Sequence, residues 1–356
     1  MFYICKTRIQ AIVDNRCSSP IVFIAARNAP AYDLIDWGTC DIAAFDIVRN
    51  GTIYDEGQVI KQNKQIVDIS GGNPRQKRIT IEQSKIKIAR YQSQPMGVLL
   101  HSHDSTYYHS LIQFGARLQY VVDHCTSRDV VWEIRSSPTQ QKILKLLNNP
   151  PVLNFSKFEL SHQQSSQLIL IPPAPYRLED LRNFRSSLVR RSLSPALLPF
   201  IDKSAGNKTT VFVRRLRTRV IENEADVLDA FKEVFPQALI FFDDKDDLAF
   251  SHTVTTFQSA AQVLGCHGAG LADIIFCRPG AQVFEIHRVR TPSDFLLELA
   301  PAFGLRLYRF VDPGLSPHRD KLHYNNYTVH AAAWRAFVLQ AAAGVLNESE
   351  APSLRA

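Results

Sequence analysis

The chain has 356 residues, of which 45% are hydrophobic and 21% charged, with a formal net charge of +7. That apolar content can fill a core and the length suits two domains of ordinary size, which excludes global disorder. No apolar run approaches the ~20 residues that span a bilayer, and residues 1–16 lack the core of a signal peptide, so any membrane association would be peripheral.

Residues 1–96 carry no catalytic constellation and no internal repeat; 21–26 reads as a strand, 52–68 as one or two more, and Gly71-Gly72-Asn73-Pro74 as a turn. A short apolar strand over 97–101 leads into His101-Ser102-His103-Asp104, and a helix is expected over 107–118. H-x-H beside a carboxylate is a metal-ligand pattern. Here it lacks the spacing of a di-metal hydrolase motif and no later His or Asp word completes it, so no metal is expected. Strands over 129–134 and 168–171 alternate with helices over 138–147 and 178–191, the second basic and amphipathic. Such alternation predicts an α/β domain with a mainly parallel sheet.

Residues 192–208, with Pro195, Pro199 and Gly206, read as an interdomain link. A strand over 209–213 then ends in Arg214-Arg215-Leu216-Arg217-Thr218-Arg219, at the position where open α/β sheets bind ligands. Asn223 is a candidate N-cap with Asp226 in a capping-box position, and Val227, Leu228, Phe231, Val234 and Phe235 share one helical face. A strand is expected over 238–242, a helix over 255–260 and a buried strand over 261–264. Gly265-Cys266-His267-Gly268-Ala269-Gly270 follows, opening a helical turn over 271–276. A glycine-rich loop between a strand and a helix start leaves backbone N–H groups to receive a phosphate. After Pro279-Gly280 come a strand over 282–286 ending near Glu285, a helix over 293–300, a strand over 305–311 and an alanine-rich helix over 329–346.

Arg182, Arg185, Arg190, Arg191, Arg214, Arg215, Arg217 and Arg219 crowd fewer than forty residues and imply an anionic partner. The six cysteines (Cys5, Cys17, Cys40, Cys125, Cys266, Cys277) include no C-x-x-C pair and sit mostly among apolar neighbours, as free thiols in a reducing compartment do.

Three words, in order, resemble glycosyltransferase family 61: the partial Tyr107-Tyr108-His109 word with Arg117-Leu118, the arginine word, and His267-Gly268-Ala269-Gly270-Leu271. The family reads Thr-Asn where this chain has Ala272-Asp273, and an aromatic where it has Ser110. The resemblance implies an α/β, GT-B-like fold of two Rossmann-like domains facing across a cleft: an acceptor-side domain over 1–200, a nucleotide-sugar domain over 201–325, and a C-terminal helix and tail over 326–356. It implies an inverting glycosyltransferase of polysaccharide or glycan biosynthesis that moves a sugar from a nucleotide diphosphate to the hydroxyl of a glycan or protein-linked acceptor, without metal or cofactor. It would work in the cytoplasm of a bacterium or, anchored by a segment outside this sequence, in the secretory lumen of a eukaryote.

Arg214 and Arg219 are then the first candidates for the pyrophosphate, with Arg215 and Arg217 alternating between them; bidentate, permanently charged guanidinium suits that task. The backbone of Gly268, Ala269 and Gly270 adds donors. His267 could bond a phosphate oxygen or act on a proton. Glu285 could accept ribose hydroxyls, or pair with Arg288 or Arg290. The base for the acceptor proton would be His109, with Asp104 second. Competing readings are a nucleic-acid-binding protein using the arginine cluster, though aromatic interleaving is missing, a metal-dependent hydrolase built on His101 and His103, and a family member that has lost activity.

Overall fold

The computed structural model describes Leu99 and residues 106–124, 131–134, 136–148, 178–193, 209–243, 250–287, 295–312 and 326–344, together with the backbone of strands β1 (Ile21–Ile24), β2 (Asp46–Tyr54), β3 (Gln58–Ile60), β4 (Ile66–Asp68), β5 (Arg90–Gln92), β6 (Met96–Val98), β8 (Asn154–Lys157) and β9 (Gln163–Leu170). His101, His103, Asp104, the turn at 71–74, Arg288, Arg290 and nearly all of the expected link at 192–208 lie outside the described residues. The chain forms two compact units, Trp37–Arg191, and Ser192–Ala356 joined by Met1–Asp36.

The first unit is built on a mixed sheet in the order β4-β3-β2-β9-β6-β7-β8, where β7 is Val131–Ile134. β9, β6, β7 and β8 run parallel, whereas β2, β3 and β4 form an antiparallel meander against β9. This half therefore joins the parallel strands expected from the sequence to an antiparallel meander that was not expected. The expected helix at 107–118 begins with a π turn over His109–Gln113 and continues as α1 (Phe114–His124). α2 (Pro138–Leu146) starts on a Ser137/Gln140 capping box with proline at its first turn, which satisfies donors that helix ends otherwise leave open. α3 (Leu178–Ser192) buries Leu181, Phe184 and Leu188 and keeps Arg182, Arg190 and Arg191 exposed. Gly115 of α1 is required by this packing, since a Cβ there would overlap the Phe184 ring.

The second unit is an all-parallel sheet in the order β1-β14-β13-β12-β10-β11. Its elements after β1 are β10 (Thr209–Arg214), α4 (Glu224–Val234), β11 (Ala238–Asp243), α5 (Phe250–Ser259), β12 (Ala260–Cys266), a 3-10 helix (Ala269–Phe276), β13 (Gln282–His287), α6 (Phe295–Ala302), β14 (Arg306–Val311) and α7 (Ala331–Ala342). Two boundaries differ from expectation. β1 pairs with β14, so the first residues group with the second unit and not with 37–191. α7 is part of the second unit's core: Trp334 is buried, its Nε1 donates to the Val227 carbonyl of α4 at 3.0 Å, and Phe337 packs on Phe310.

Alternation along the strands separates two faces. Phe212, Leu264, Phe284, Tyr308 and Phe310 meet α4 and α7 in one aromatic core, with Phe284 edge-on to Phe231 and stacked on Tyr308. Val213, Gly265 and Glu285 belong to the other face, where the 3-10 helix packs so closely that a Cβ on Gly270 would lie 3.0 Å from Val213 Cγ1. From β10 the chain steps first to β11 on one side and then to β12 on the other, so the order reverses between β10 and β12. The crevice at the carboxyl ends of such a strand pair is where open α/β sheets bind ligands.

Candidate functional site

The arginine word leaves β10 and the glycine-rich word leaves β12, side by side at that reversal. Arg219 joins them: its Nη1 donates to the His267 carbonyl at 2.7 Å across 48 positions of sequence. Arg219 has φ +59°, a left-handed backbone uncommon for a residue with a Cβ. The segment is fastened from behind, with Val220 N donating to Asn326 Oδ1 at 3.1 Å and Tyr327 N to the Val220 carbonyl at 3.0 Å.

The other arginines divide by geometry. Arg214 lies over the exposed Phe241 ring at 5.0 Å and 3.8 Å from Glu224, so it turns toward β11 and away from His267. Arg215 closes its own turn, donating from Nε and Nη2 to the carbonyl and hydroxyl of Thr218 at 3.4 and 3.3 Å. Arg217 is exposed. The cluster is thus not a uniform basic stripe; of the four, Arg219 is the one brought to the glycine loop.

The glycines turn out to make room for the protein itself. A Cβ on Gly265 would lie 3.1 Å from Val213, and one on Gly268 would lie 3.0 Å from Arg219 Nη1. Gly268 therefore lets the guanidinium rest against the loop. The first bond of the 3-10 turn is Leu271 N to the Gly268 carbonyl, 3.0 Å, so the N–H groups of Gly268, Ala269 and Gly270 precede it. Ala272 and Asp273, where the family carries Thr-Asn, are buried in this helix.

Behind the loop sits a buried charged network. Glu285 is fully buried, with Oε1 2.5 Å from His267 Nδ1 and Oε2 accepting from Arg309 Nε at 2.6 Å. Burial alone would raise the Glu285 carboxyl; Arg309, His287 and His267 outweigh it and hold the group well below the usual carboxylate range. Strand alternation turns Glu285 inward, where both oxygens are already engaged and Arg309 is its cation, a placement that does not favour ribose hydroxyls as its partners; Arg288 and Arg290, the pairing partners expected from the sequence, lie outside the described residues. The His267 ring packs against that of His287, 4.3 Å away by centroid, and that of Phe295, 5.5 Å away.

His267, Glu285 and His287 bring three possible metal ligands within 4.8 Å. Their spacing suits hydrogen bonding better. Two ligands each ~2.0–2.2 Å from one ion stand farther apart than 2.5 Å, and Arg309 already supplies the cation. Cys266 packs on the other face with Sγ 2.9 Å from the Tyr327 hydroxyl, and burial pushes its thiol up to about 11, against the lowering effect of that hydrogen bond.

In the first unit His109 is half-buried at the start of the π turn, with Nδ1 2.5 Å from Gln113 Oε1. π turns often mark functional positions. Arg117 is buried and ties helix to sheet, its Nη2 donating to the Leu99 carbonyl at 3.0 Å. Arg309, His287 and Tyr327 escaped the sequence reading. Glu285-Ile286-His287 is an alternation that puts two titratable groups on one strand face, and Arg309 stands between Tyr308 and Phe310 in the middle of a strand; both were usable signals. Tyr327 had none.

A parallel sheet with polar loops converging at its order reversal defines an α/β protein whose candidate ligand crevice lies at that reversal. The family model for Glycosyltransferase 61 matches residues 107–284, half of the chain, which therefore belongs to that family. Two relatives, the EGF domain-specific O-linked N-acetylglucosamine transferases of Mus musculus and Rattus norvegicus, are each 27% identical over 41% of this chain. The matched region is 29% of either relative's length. No helix among the described residues is long and apolar enough to cross a membrane.

Proposed function

We propose that this chain is a glycosyltransferase that takes a sugar from a nucleoside diphosphate and passes it, with inversion at the anomeric carbon, to an acceptor hydroxyl on a glycan or protein. The observation that carries this reading is the Arg219–His267 contact, which joins two family words at the order reversal of a parallel sheet. As the acceptor oxygen attacks C1, the C1–O bond to the β-phosphate breaks and charge grows on the leaving diphosphate. Arg219 and the N–H groups of Gly268, Ala269 and Gly270 are placed to take that charge, with Arg214 at the rim. Four fixed donors can do this without a divalent ion, so transfer should survive chelator. The relatives' printed activity favours N-acetylglucosamine as the sugar.

The second unit would hold the donor and Trp37–Arg191 the acceptor, in a GT-B arrangement. There His109 is the base candidate, its ring set by Gln113; Asp104 is the alternative. A nucleic-acid role finds less support because the arginines do not form one outward-facing stripe: Arg215 closes its own turn on Thr218, and Arg219 faces the glycine loop. The test is transfer from a panel of nucleotide sugars to peptide and glycan acceptors, with and without EDTA. Activity that EDTA abolishes and manganese restores would contradict the metal-free reading; saturable duplex-DNA binding with no sugar transfer would contradict the whole.

A further inference from the structure

The network behind His267 is unusual for its position. On the same strand face, Val283 and Leu307 are fully buried aliphatics, and an apolar side chain would fill the sites of Glu285 and Arg309 equally well. Glu285 registers between Gly265 of β12 and Arg309 of β14, one step behind the loop, and the chain keeps a fully buried carboxylate and a guanidinium there. The ion pair ends on one group that still has an exposed edge, His267, whose side chain is 9% accessible.

An ionised carboxylate is acceptor-only. Oε2 is held by Arg309, which turns Oε1 to His267 Nδ1 and requires that nitrogen to carry the hydrogen. The tautomer is then set from inside the sheet, and the His287 and Phe295 rings pack against the imidazole.

We propose that Glu285 and Arg309 are positioning residues for His267: the guanidinium orients the carboxylate, and the carboxylate fixes the imidazole tautomer, Nδ1–H turned inward and Nε2 left as the acceptor of a hydrogen bond from a hydroxyl of the nucleotide-sugar donor. This rests on the reading of the loop as the donor site. Neither residue touches the ligand.

Glu285→Gln provides a sharp test. Arg309 Nε still needs an acceptor, so the new amide turns its oxygen to Arg309 and its NH2 to His267 Nδ1. Nδ1 must then accept, and the hydrogen moves to Nε2. Long-range 15N–1H NMR of the ring reads this directly, and calorimetry with UDP as probe reads the site. The expected result is Nδ1–H in the wild type, Nε2–H in Glu285→Gln, and UDP affinity at least tenfold weaker in a folded variant. Should that variant unfold, Glu285→Gln with Arg309→Met removes both buried charges together; its amide can turn either way, so both tautomers should be populated, and affinity should fall only by about the fraction that has left the Nδ1–H form, roughly twofold for an even mixture. A purely structural pair would lower the melting temperature and leave UDP affinity in the folded variant unchanged. An unchanged tautomer, or a changed one with wild-type affinity, overturns the inference. His267→Ala separates the two levels. If it abolishes UDP binding while Glu285→Gln binds normally, only the positioning role falls; if His267→Ala itself binds UDP like wild type, the donor-site reading falls first.

Discussion

Arg219 permits a test in which stability and binding move independently. It makes a charge-assisted hydrogen bond of 2.7 Å to the His267 carbonyl, and it does so from φ +59°. Arg219→Ala removes the guanidinium and keeps a Cβ in a left-handed backbone. Arg219→Gly removes the guanidinium and relieves the backbone. Losing a hydrogen bond to a charged group costs about 1.5–3 kcal/mol, while a left-handed L-residue carries about 1–2 kcal/mol that glycine does not. Both variants should therefore lose about ten- to a hundredfold in nucleoside diphosphate affinity. Yet Arg219→Gly should be more stable than Arg219→Ala by about 1 kcal/mol, after allowing for glycine's greater chain entropy. Arg219→Lys restores charge without the planar fork and should recover only part of the affinity. Urea denaturation measures the first quantity and calorimetric titration with UDP the second. Wild-type affinity in both small variants would refute the placement of the diphosphate at this loop. Equal stability of the two would refute the backbone argument.

Gly268→Val should push the guanidinium off the loop, costing about 1–3 kcal/mol of stability and proportionally more in UDP affinity; a variant that melts lower but binds normally would contradict this. Gly115→Ala should destabilise the first unit by about 1–3 kcal/mol through overpacking on Phe184, and a neutral effect in thermal unfolding would contradict the packing. Cys266, buried with its thiol raised to about 11, should resist iodoacetamide at pH ~8 in the native protein and react on unfolding; rapid native labelling would show the site to be open. Glu285 is held below its unfolded value of 4.5, so the native state binds fewer protons than the unfolded one under acid. Its stabilising contribution should be complete above that value and fade as pH falls below it; urea midpoints from about pH 6 to about pH 3 should show a shallower acid decline in Glu285→Gln.

The parallel sheet of the second unit was legible because each strand is a short apolar run followed by a helix, and because the two polar words sit where parallel strands must end. The convergence of those words followed from the same logic. What each side chain does there was less legible. Glu285 reads as a residue facing the crevice at a strand end, but alternation from Val283 turns it inward, and its partner Arg309 is 24 positions away in another strand. Asn223 was expected to cap α4 with its side chain; its Nδ2 instead donates to the Val329 carbonyl at 2.9 Å and its Oδ1 accepts from Val329 N at 2.8 Å, a contact 106 positions away that local pattern does not encode. The pairing of β2 with β9 and the membership of β1 in the distant sheet are likewise long-range, set by what each strand finds beside it.

Hydrogen–deuterium exchange with and without UDP-N-acetylglucosamine tests the central claim most directly. Ligand at the order reversal should slow exchange in residues 214–220 and 267–276 together, because one diphosphate would hold both loops, and Arg219→Ala should abolish that protection in both. Protection confined to the basic helix Leu178–Ser192, or none in either loop at saturating ligand, would contradict the account.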